Sequence, residues 1–277
     1  MTRLKIRPFP AVLALSLLVA GCDINVGEHG FSMDVASGKA QEESSRSYDI
    51  APGGRLEVVN INGTINASPG GGTRVEVRIE RIAKASNDER AQELLKKIEI
   101  VETASSDKVR LETKVPKMSW SRSGHEVRYW IKVPKGLVLD FGTVNGGVRL
   151  ENLDNEIVAS TTNGGIRGVG LRGAVKADTT NGGVEIEMAA VTANIDLGTT
   201  NGGIRLRLPR DAKANVDARV VNGGIGFRDG WGSMQEMEKS RRHFRGTLNG
   251  GGPTISVETT NGGVVIAPST QANTETP

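Results

Sequence analysis

The stretch Thr179-Thr180-Asn181-Gly182-Gly183-Val184 is one copy of a phrase that returns along the chain with its apolar neighbours in constant phase. The full copies begin at Asn145, Asn163, Asn181, Asn201, Asn222, Asn249 and Asn261, and a degenerate copy begins at Asn62. Spacings of about 20 residues indicate a repeat architecture, in which each repeat buries its apolar side against its neighbours. The chain is therefore predicted to be a repeat protein.

The phase of the apolar residues changes across each phrase. With the Asn as position zero, inward residues fall at minus two, minus four and minus six, and then at plus three and plus five. A strand cannot continue straight through this change of parity, so Asn-Gly-Gly must form a turn or bulge that supplies positive φ. The predicted structural corners are Asn145, Gly146, Asn163, Gly164, Asn181, Gly182, Asn201, Gly202, Asn222, Gly223, Asn261 and Gly262.

Two all-β architectures satisfy such corners. In an antiparallel meander or β-sandwich, Asn-Gly would be a hairpin turn. In a parallel β-helix, or β-solenoid, it would be the corner of a rung that stacks on the next rung. We favour the solenoid, with rungs of about 18–21 residues, because stacking explains why Thr-Thr-Asn-Gly-Gly recurs almost unchanged. A meander would also leave an apolar face that needs a second layer.

The copy at Asn249 does not fit this phase. It has His243 where an apolar residue is expected and Gly252 after the phrase. Without it, the last spacing, from Asn222 to Asn261, is close to two periods. We therefore expect residues 229–251 to be an irregular rung or a protruding loop.

The N-terminus has the pattern of an export signal. Basic residues precede an apolar stretch at 11–20 that is too short to span a bilayer. The sequence Leu18-Val19-Ala20-Gly21-Cys22 resembles the lipobox of bacterial lipoproteins, so residues 1–22 are predicted to be a lipoprotein signal segment. The resemblance implies that Cys22 is lipidated and becomes the mature N-terminus after cleavage before it. An ordinary secretory signal or a membrane anchor is the alternative. Cys22 is the single cysteine of the chain, which excludes an intramolecular disulfide.

The expected location is the bacterial cell envelope, with a lipid anchor. Asp23 directly follows the lipobox, and in enteric bacteria this resembles a signal that retains lipoproteins at the periplasmic face of the inner membrane. The outer membrane remains open as an alternative.

The rest of the chain divides into three segments. Residues 23–47 are polar and predict a flexible tether, 48–267 the repeat domain, and 268–277 a disordered tail. One short helix is expected near 87–98, because Ser86 and Glu89 fit a capping box ahead of residues at helical spacing. Two strands, at 109–115 and 126–133, should follow it.

Composition limits the class of partner. The chain has 37% apolar and 4% aromatic residues, which suits a β-rich core of aliphatic side chains. Residues 1–22 carry three of the 35 Lys and Arg and none of the 32 Asp and Glu, so the remainder is formally neutral, 32 against 32. A neutral chain without a basic stripe has no electrostatic footprint for nucleic acid.

The repeated phrase, the Val133-Pro134-Lys135-Gly136 segment before the repeats and the preceding helix resemble a bacterial β-strand-repeat family of unknown function, often labelled putative adhesin. The resemblance covers about residues 48–267. It implies a right-handed β-helix and a protein of the envelope or an exported protein. The family offers no catalytic residues to carry over.

Little in the sequence indicates catalysis, a metal or a cofactor. The histidines His29, His125 and His243 are scattered, and none pairs at metal-ligand spacing. A carbohydrate-active enzyme, either lyase or hydrolase, would need converging carboxylates, and neighbouring rungs could bring Asp196 and Asp217 together. We favour a solvated outer row, because a lysine and a valine occupy the same column.

The function predicted from sequence is therefore a non-enzymatic, membrane-anchored envelope lipoprotein. Its rigid solenoid would act as a binding, adhesion or scaffolding module, and the β-helix enzyme is the alternative. Trp120, Trp130 and Trp231 are the candidate ligand contacts, although Trp130 lies at strand phase and could instead belong to the core. The expected partners are the membrane, through Cys22, and an unknown envelope protein or glycan.

Overall fold

The computed structural model describes residues 38–115 and 123–269, which are mostly β-structure with one short helix. The elements of the first half are β1 (Gly38–Tyr48), β2 (Arg55–Asn62), β3 (Ile65–Pro69), β4 (Val75–Ala85), α1 (Asp88–Lys97), β5 (Glu99–Ala104), β6 (Lys108–Lys114), β7 (Gly124–Val133), β8 (Val138–Asn145) and β9 (Val148–Glu151). Those of the second half are β10 (Glu156–Asn163), β11 (Ile166–Leu171), β12 (Val175–Asn181), β13 (Val184–Met188), β14 (Ile195–Asn201), β15 (Ile204–Leu208), β16 (Ala214–Asn222), β17 (Ile225–Phe227), β18 (Met234–Lys239), β19 (His243–Leu248), β20 (Thr254–Asn261) and β21 (Val264–Pro268).

The strands form two sheets, and each phrase except the copy at Asn249 joins a strand of one sheet to a strand of the other. The ten-stranded sheet has the order β1-β4-β7-β3-β9-β11-β13-β15-β21-β17. The eleven-stranded sheet has the order β18-β19-β16-β20-β14-β12-β10-β8-β2-β6-β5. We call a strand pair joined by one phrase a rung and name it by its Asn.

Successive rungs pair in parallel and in register. In the eleven-stranded sheet β8, β10, β12 and β14 run parallel, with each phrase Asn opposite the Asn of the next rung. In the ten-stranded sheet the strands that follow the phrases also pair in parallel, in the order β9, β11, β13 and β15. The antiparallel meander is therefore wrong for the repeats, and the domain is β-solenoid-like. Antiparallel strands at both ends make the two sheets mixed, and neither closes on itself in the described part.

The core lies between the two sheets and is built from the inward positions of every rung. Leu197, Ile204 and Leu206 of the Asn201 rung are at most 1% exposed, and equivalent residues of the other rungs form the same continuous cluster. Fully burying one such side chain stabilises a fold by about 1.5–3 kcal/mol. Because a rung has one inward row per strand, the core gains most of its stability by stacking rungs.

The order of the rungs in space differs from their order along the chain. The C-terminal Asn261 rung lies between the Asn201 and Asn222 rungs, since β20 pairs with both β14 and β16. At the other end the Asn62 rung lies between β6–β7 and the Asn145 rung. Both ends of the stack therefore contain a segment inserted out of sequence.

The predicted tether at 23–47 is wrong for its last ten residues. Residues 38–48 form β1, which pairs antiparallel with β4 over its whole length. The sequence hides this strand because it lies at a sheet edge with one side exposed, so polar residues replace the expected apolar alternation. Pro268, predicted to begin the tail, is likewise the last residue of β21.

The helix occurs where it was expected, but its cap is different. Helix α1 spans Asp88–Lys97, and the Asn87 side chain caps it by accepting a hydrogen bond from the Arg90 N–H at 2.9 Å. The predicted cap, Ser86, instead accepts from the Arg90 guanidinium. The helix buries Ala91 against β1 and β4. Within the described residues, no helix is long and apolar enough to cross a membrane.

The segment 229–251 is neither an irregular rung nor a simple loop. It holds β18 and β19, an antiparallel hairpin whose second strand pairs with β16 and so extends the eleven-stranded sheet past the Asn222 rung. Phe244, at 2% exposure, covers the core there and stacks on Phe227. The hairpin thus closes the end of the stack.

Candidate binding surfaces

Several residues singled out from the sequence lie outside the described part of the chain. They are Cys22, the lipobox residues Val19, Ala20 and Gly21, the residue Asp23, His29 and Trp120. Their roles stay predictions.

The corner asparagines form one continuous hydrogen-bonded ladder. Asn181 donates through Nδ2 to Oδ1 of Asn163 at 2.9 Å and accepts at Oδ1 from Nδ2 of Asn201 at 2.9 Å. The same bond links every pair of neighbouring rungs, in the spatial order Asn62, Asn145, Asn163, Asn181, Asn201, Asn261 and Asn222. All the donors point the same way, and the Nδ2 of Asn62 ends the row against Nε2 of His125 at 2.8 Å. Burial lowers the pKa of His125, which suits a neutral ring that accepts this bond.

The first threonine of the phrase is also used inside the fold. Thr179 is buried and donates through Oγ1 to the carbonyl oxygen of Gly164 in the neighbouring rung at 3.0 Å. Equivalent bonds are made by Thr143, Thr161, Thr199 and Thr259. The corner Asn and this Thr therefore use their side chains in hydrogen bonds to the neighbouring rung. A ligand must be recognised by other side chains.

The outer surface of the eleven-stranded sheet carries a regular row of hydroxyl groups. The second threonine of each phrase is exposed, at Thr162, Thr180, Thr200 and Thr260. The row ends in exposed valines, Val144 at 43% and Val221 at 57%. A shallow groove beside it contains Asp178, whose pKa is raised by burial and by the nearby Asp196. We call this surface the threonine face.

The corner side of the ten-stranded sheet carries a groove with basic walls, which we call the arginine groove. Its floor is the second glycine of each phrase, and its wall is the column four residues after the Asn. The groove is lined by Gly147, Gly165, Gly183, Gly203, Gly263, Arg149, Arg167, Arg205 and Glu185. Hydrogen bonds between rungs use the N–H groups on either side of these glycines, such as Gly164 and Ile166. Among the described residues, the glycine N–H groups of the floor have no acceptor.

The carboxylate of Glu185 balances part of the positive charge of the groove wall. Glu185 lies 3.1 Å from Arg207, 3.5 Å from Arg205 and 4.0 Å from Arg167. Burial alone would raise the Glu185 pKa, but the hydrogen bond from Arg207 and the three positive charges outweigh it and lower the pKa. Arg149 makes no ion pair with any described residue. The groove therefore keeps a net positive charge, although the chain as a whole is balanced.

The carboxylates that an enzyme would need are not brought together. Asp196 and Asp217 lie in one column, but Ser256 of the inserted Asn261 rung separates them. Each has a basic partner of its own: Lys176 lies 3.7 Å from Asp196, and Arg219 lies 3.1 Å from Asp217. In the part of the chain that the structure describes, no group of three or more His, Cys, Asp and Glu could hold a metal.

The described tryptophans are both partly exposed. Trp231 donates through Nε1 to the Arg228 carbonyl oxygen at 2.7 Å and packs on Phe227 near the closing hairpin. Trp130 lies on the outer side of β7 under the Arg78 guanidinium, 3.8 Å from the ring centroid, so the reading of Trp130 as core is wrong.

The buried aromatic residue of β7 is its neighbour Tyr129, which sequence reasoning missed. The Tyr129 hydroxyl lies 2.7 Å from Thr113 Oγ1. The Thr113 hydroxyl in turn donates to Asn60 Oδ1 at 3.0 Å. Burial raises the Tyr129 pKa to about 12. Two signals pointed to this network: Tyr129 is in phase with the apolar residues of β7, and Asn60 occupies the position of the buried threonine in its rung.

The repeated segment also matches a known family. Residues 137–267 match the Toastrack DUF4097 family model. The segment that matches this model begins just before β8 and ends within β21, and it contains every full copy of the phrase, whereas the Asn62 rung and the helix lie before it. No functionally curated protein matches the chain.

Solved structures give distant similarities. A putative cell adhesion protein from Clostridium sporogenes has 14% identity and a TM-score of 0.48, and the match covers 83% of this chain and 100% of that one. A putative lipid binding protein from Parabacteroides distasonis has 12% identity and a TM-score of 0.32, with coverage of 82% and 96%. A putative adhesin from Bacteroides fragilis has 11% identity and a TM-score of 0.29, with coverage of 82% and 97%.

Proposed function

We propose that this protein is a non-enzymatic, lipid-anchored component of the bacterial envelope, whose repeated segment at 137–267 binds another envelope component. The observation that carries the proposal is the arginine groove. It runs across at least five rungs, spaced about 4.8 Å apart, and offers backbone N–H donors beside arginine side chains. Such a surface fits an extended partner, protein or glycan, that presents carboxylate or phosphate groups along its length.

The anchor is the first part of this proposal. The lipobox ending at Cys22 supports lipidation, and the acyl chains on such a cysteine would hold the protein stably at a membrane. Metabolic labelling with a palmitate analogue should mark the wild-type protein and lose the mark in Cys22→Ala. Label that persists in Cys22→Ala would contradict the anchor, whatever the groove binds.

The second part is the partner of the groove. The experiment is crosslinking in the native envelope followed by pull-down, with a charge-reversed protein carrying Arg149→Glu and Arg167→Glu. Both side chains are exposed and lie on neighbouring rungs, so reversal changes the groove charge by four units without touching the core. A matched control carries Lys39→Glu and Lys84→Glu, two exposed lysines on β1 and β4 of the same sheet, away from the groove, so that its charge also changes by four units.

We expect the reversed protein to lose its partner by at least about tenfold, because each interaction between a desolvated arginine and an acidic group contributes roughly 1–3 kcal/mol. The control should keep the partner. Equal capture by wild type, control and reversed protein would place the binding surface elsewhere, with the threonine face as the next surface to change.

The handedness of the coil belongs to the same proposal. Strands β8 and β10 run parallel in one sheet, and the chain between them passes through β9 of the other sheet. Crossover connections between parallel strands of one sheet are right-handed in about 98% of cases. We therefore infer a right-handed parallel solenoid, and an experimental electron-density map would test it directly.

A further inference from the structure

The last rung of the chain fills a slot between rungs that precede it in sequence. Strand β20 pairs in parallel with β14 on one side and β16 on the other, and β21 lies between β15 and β17. Its side chains Ile255, Val257, Val264 and Ile266 are at most 1% exposed. If these two strands left the slot, both sheets would expose unpaired edges and the apolar core would open.

The same rung is held to the rest of the chain by one short, glycine-rich connection. Residues 249–253 link β19 to β20 across the start of β16, since Leu248 and Thr254 lie on opposite sides of that strand. Gly250 and Gly251 both have φ of +86°, and a Cβ on Gly250 would meet no atom within 4 Å. Gly250 is thus the exposed point of the connection at which the backbone can rotate with little steric resistance. On either side of it the connection is held, since Asn249 donates to the Arg210 and Ala212 carbonyl oxygens and Gly252 accepts from Asn215.

The contacts that seat this rung are specific to the repeat phrase. Thr259 donates to the Gly202 carbonyl oxygen at 3.0 Å, and Asn261 donates to Asn201 at 2.8 Å while accepting from Asn222 at 2.9 Å. A segment that fills the slot needs apolar residues at the right phase together with this phrase. The same segment of a second copy of this chain supplies all of them in register.

We propose that the C-terminal strand pair, Thr254–Pro268, exchanges between copies, so that the pair of one molecule fills the slot of another. Every contact of β20 and β21 is kept in the exchanged dimer, and the change falls on residues 249–253. Monomer and dimer therefore differ in free energy mainly through the hinge and the protein concentration, as in other exchanges of an identical element. The proposal does not depend on the partner of the arginine groove.

A disulfide placed across the slot can report the exchange. Thr200 and Thr260 are exposed neighbours on β14 and β20, lying between the paired positions Thr199–Thr259 and Asn201–Asn261. In-register parallel neighbours have Cα atoms about 4.8 Å apart, which a disulfide can join. The protein tested is the full chain with Cys22→Ser, Thr200→Cys and Thr260→Cys. It is kept reduced while it is partly unfolded in urea and returned to buffer, and it is then oxidised.

We expect a covalent dimer on a non-reducing gel, in a fraction that rises with protein concentration and is at least several-fold above the control. The control carries Cys22→Ser with Thr162→Cys and Thr180→Cys on rungs that are consecutive in the chain, and it should give only an internal disulfide. Oxidation before the urea step should lock the Thr200–Thr260 pair in the monomer and abolish dimer formation.

Two results would overturn the proposal. One is an internal disulfide alone at every concentration for the Thr200–Thr260 pair. The other is an equal yield of covalent dimer from the Thr162–Thr180 control, since that dimer would arise from general association and not from exchange of the last rung.

Discussion

At the residue scale, the repeated phrase is explained by contacts between rungs. The positive φ expected at every corner is wrong for Gly146, Gly164, Gly182 and Gly202, since among the in-phase phrases only those at Asn62, Asn222 and Asn261 contain a glycine with positive φ. The first glycine is needed instead because it has no room for a side chain: a Cβ on Gly182 would lie 1.8 Å from the carbonyl oxygen of Gly164. The second glycine is less restricted, because a Cβ on Gly183 would lie 3.3 Å from the Gly203 carbonyl oxygen. The two glycines therefore serve different purposes, close stacking and an open groove floor.

This difference gives a matched pair of substitutions. Gly182→Ala should lower the free energy of unfolding by about 3 kcal/mol, since two backbone segments must separate to admit the methyl group. Gly183→Ala should change it by less than about 1 kcal/mol. Urea unfolding followed by circular dichroism measures both, and equal losses for the two variants would contradict the stacking argument.

His243 gives the fold a dependence on pH. Its Nδ1 lies 2.9 Å from Glu238 and its Nε2 3.2 Å from Asp217, so it ties the closing hairpin to β16. The hydrogen bond to Glu238, then that to Asp217 and both negative charges, raise the His243 pKa. A histidine whose pKa is raised in the folded state stabilises the fold at pH values below the ordinary histidine pKa of about 6.5. This stabilisation is lost as the pH rises through the pKa of the folded state.

We therefore expect the stability difference between wild type and His243→Gln to be largest near pH 5.5 and to shrink toward about pH 8.5. His125 has the opposite sign, because its pKa is lowered: its contribution is present above about pH 6.5 and is lost on acidification. Unfolding curves across this range test both histidines. A difference for His243→Gln that stays constant with pH would show that the two carboxylates do not act on a charged ring.

At the element scale, the alternation of apolar and polar residues predicted the interior strands. It did not predict the edge strand β1 or the residue that caps the helix. Periodicity predicted the strands β6 and β7 to within two residues, and it predicted the helix. It missed β1, an edge strand whose exposed side takes polar residues, and it placed the helix cap one residue early. The two errors have different origins. Strand β1 is paired by β4, a distant partner that the local sequence does not reveal, whereas Ser86 and Asn87 are adjacent capping residues and only the structure shows that Asn87 accepts from the Arg90 N–H.

The helix cap is directly testable. Asn87→Ala should lower stability by about 1 kcal/mol, because the Arg90 N–H loses its acceptor. Ser86→Ala should cost less than about 0.5 kcal/mol, since the Ser86 hydroxyl meets only an exposed guanidinium. Thermal unfolding of the two variants distinguishes the caps, and a larger loss from Ser86→Ala would restore the capping box.

At the scale of the whole molecule, the order of the rungs decides which outer residues meet. The spacing between Asn222 and Asn261 suggested two periods of a continuous coil. Instead the chain passes outward to the Asn222 rung and the closing hairpin, and then returns to fill the slot beside the Asn201 rung. This return separates Asp196 from Asp217 and thereby removes the carboxylate pair on which the enzyme alternative rested.

Engineered disulfides can verify the order. In the Cys22→Ser background, Thr260→Cys with Val221→Cys should close readily, because Val221 lies beside Thr260 in the register of β16 and β20. Thr200→Cys with Val221→Cys should stay reduced, since two rung spacings, about 9.6 Å, exceed the reach of a disulfide. Mass spectrometry of the oxidised proteins reads both outcomes, and the reverse result would mean that the rungs follow chain order.

The sequence by itself determined the repeat, the corners and the inward residues, because each depends on local periodicity. It could not determine which rung lies beside which, since every copy carries the same phrase and fits every neighbour equally well. The tertiary structure decided that order, and with it the closing hairpin, the edge strand and the arginine groove. The physical reason is that parallel strands pair over long sequence separations, where the choice among equivalent partners is made by connections and chain ends.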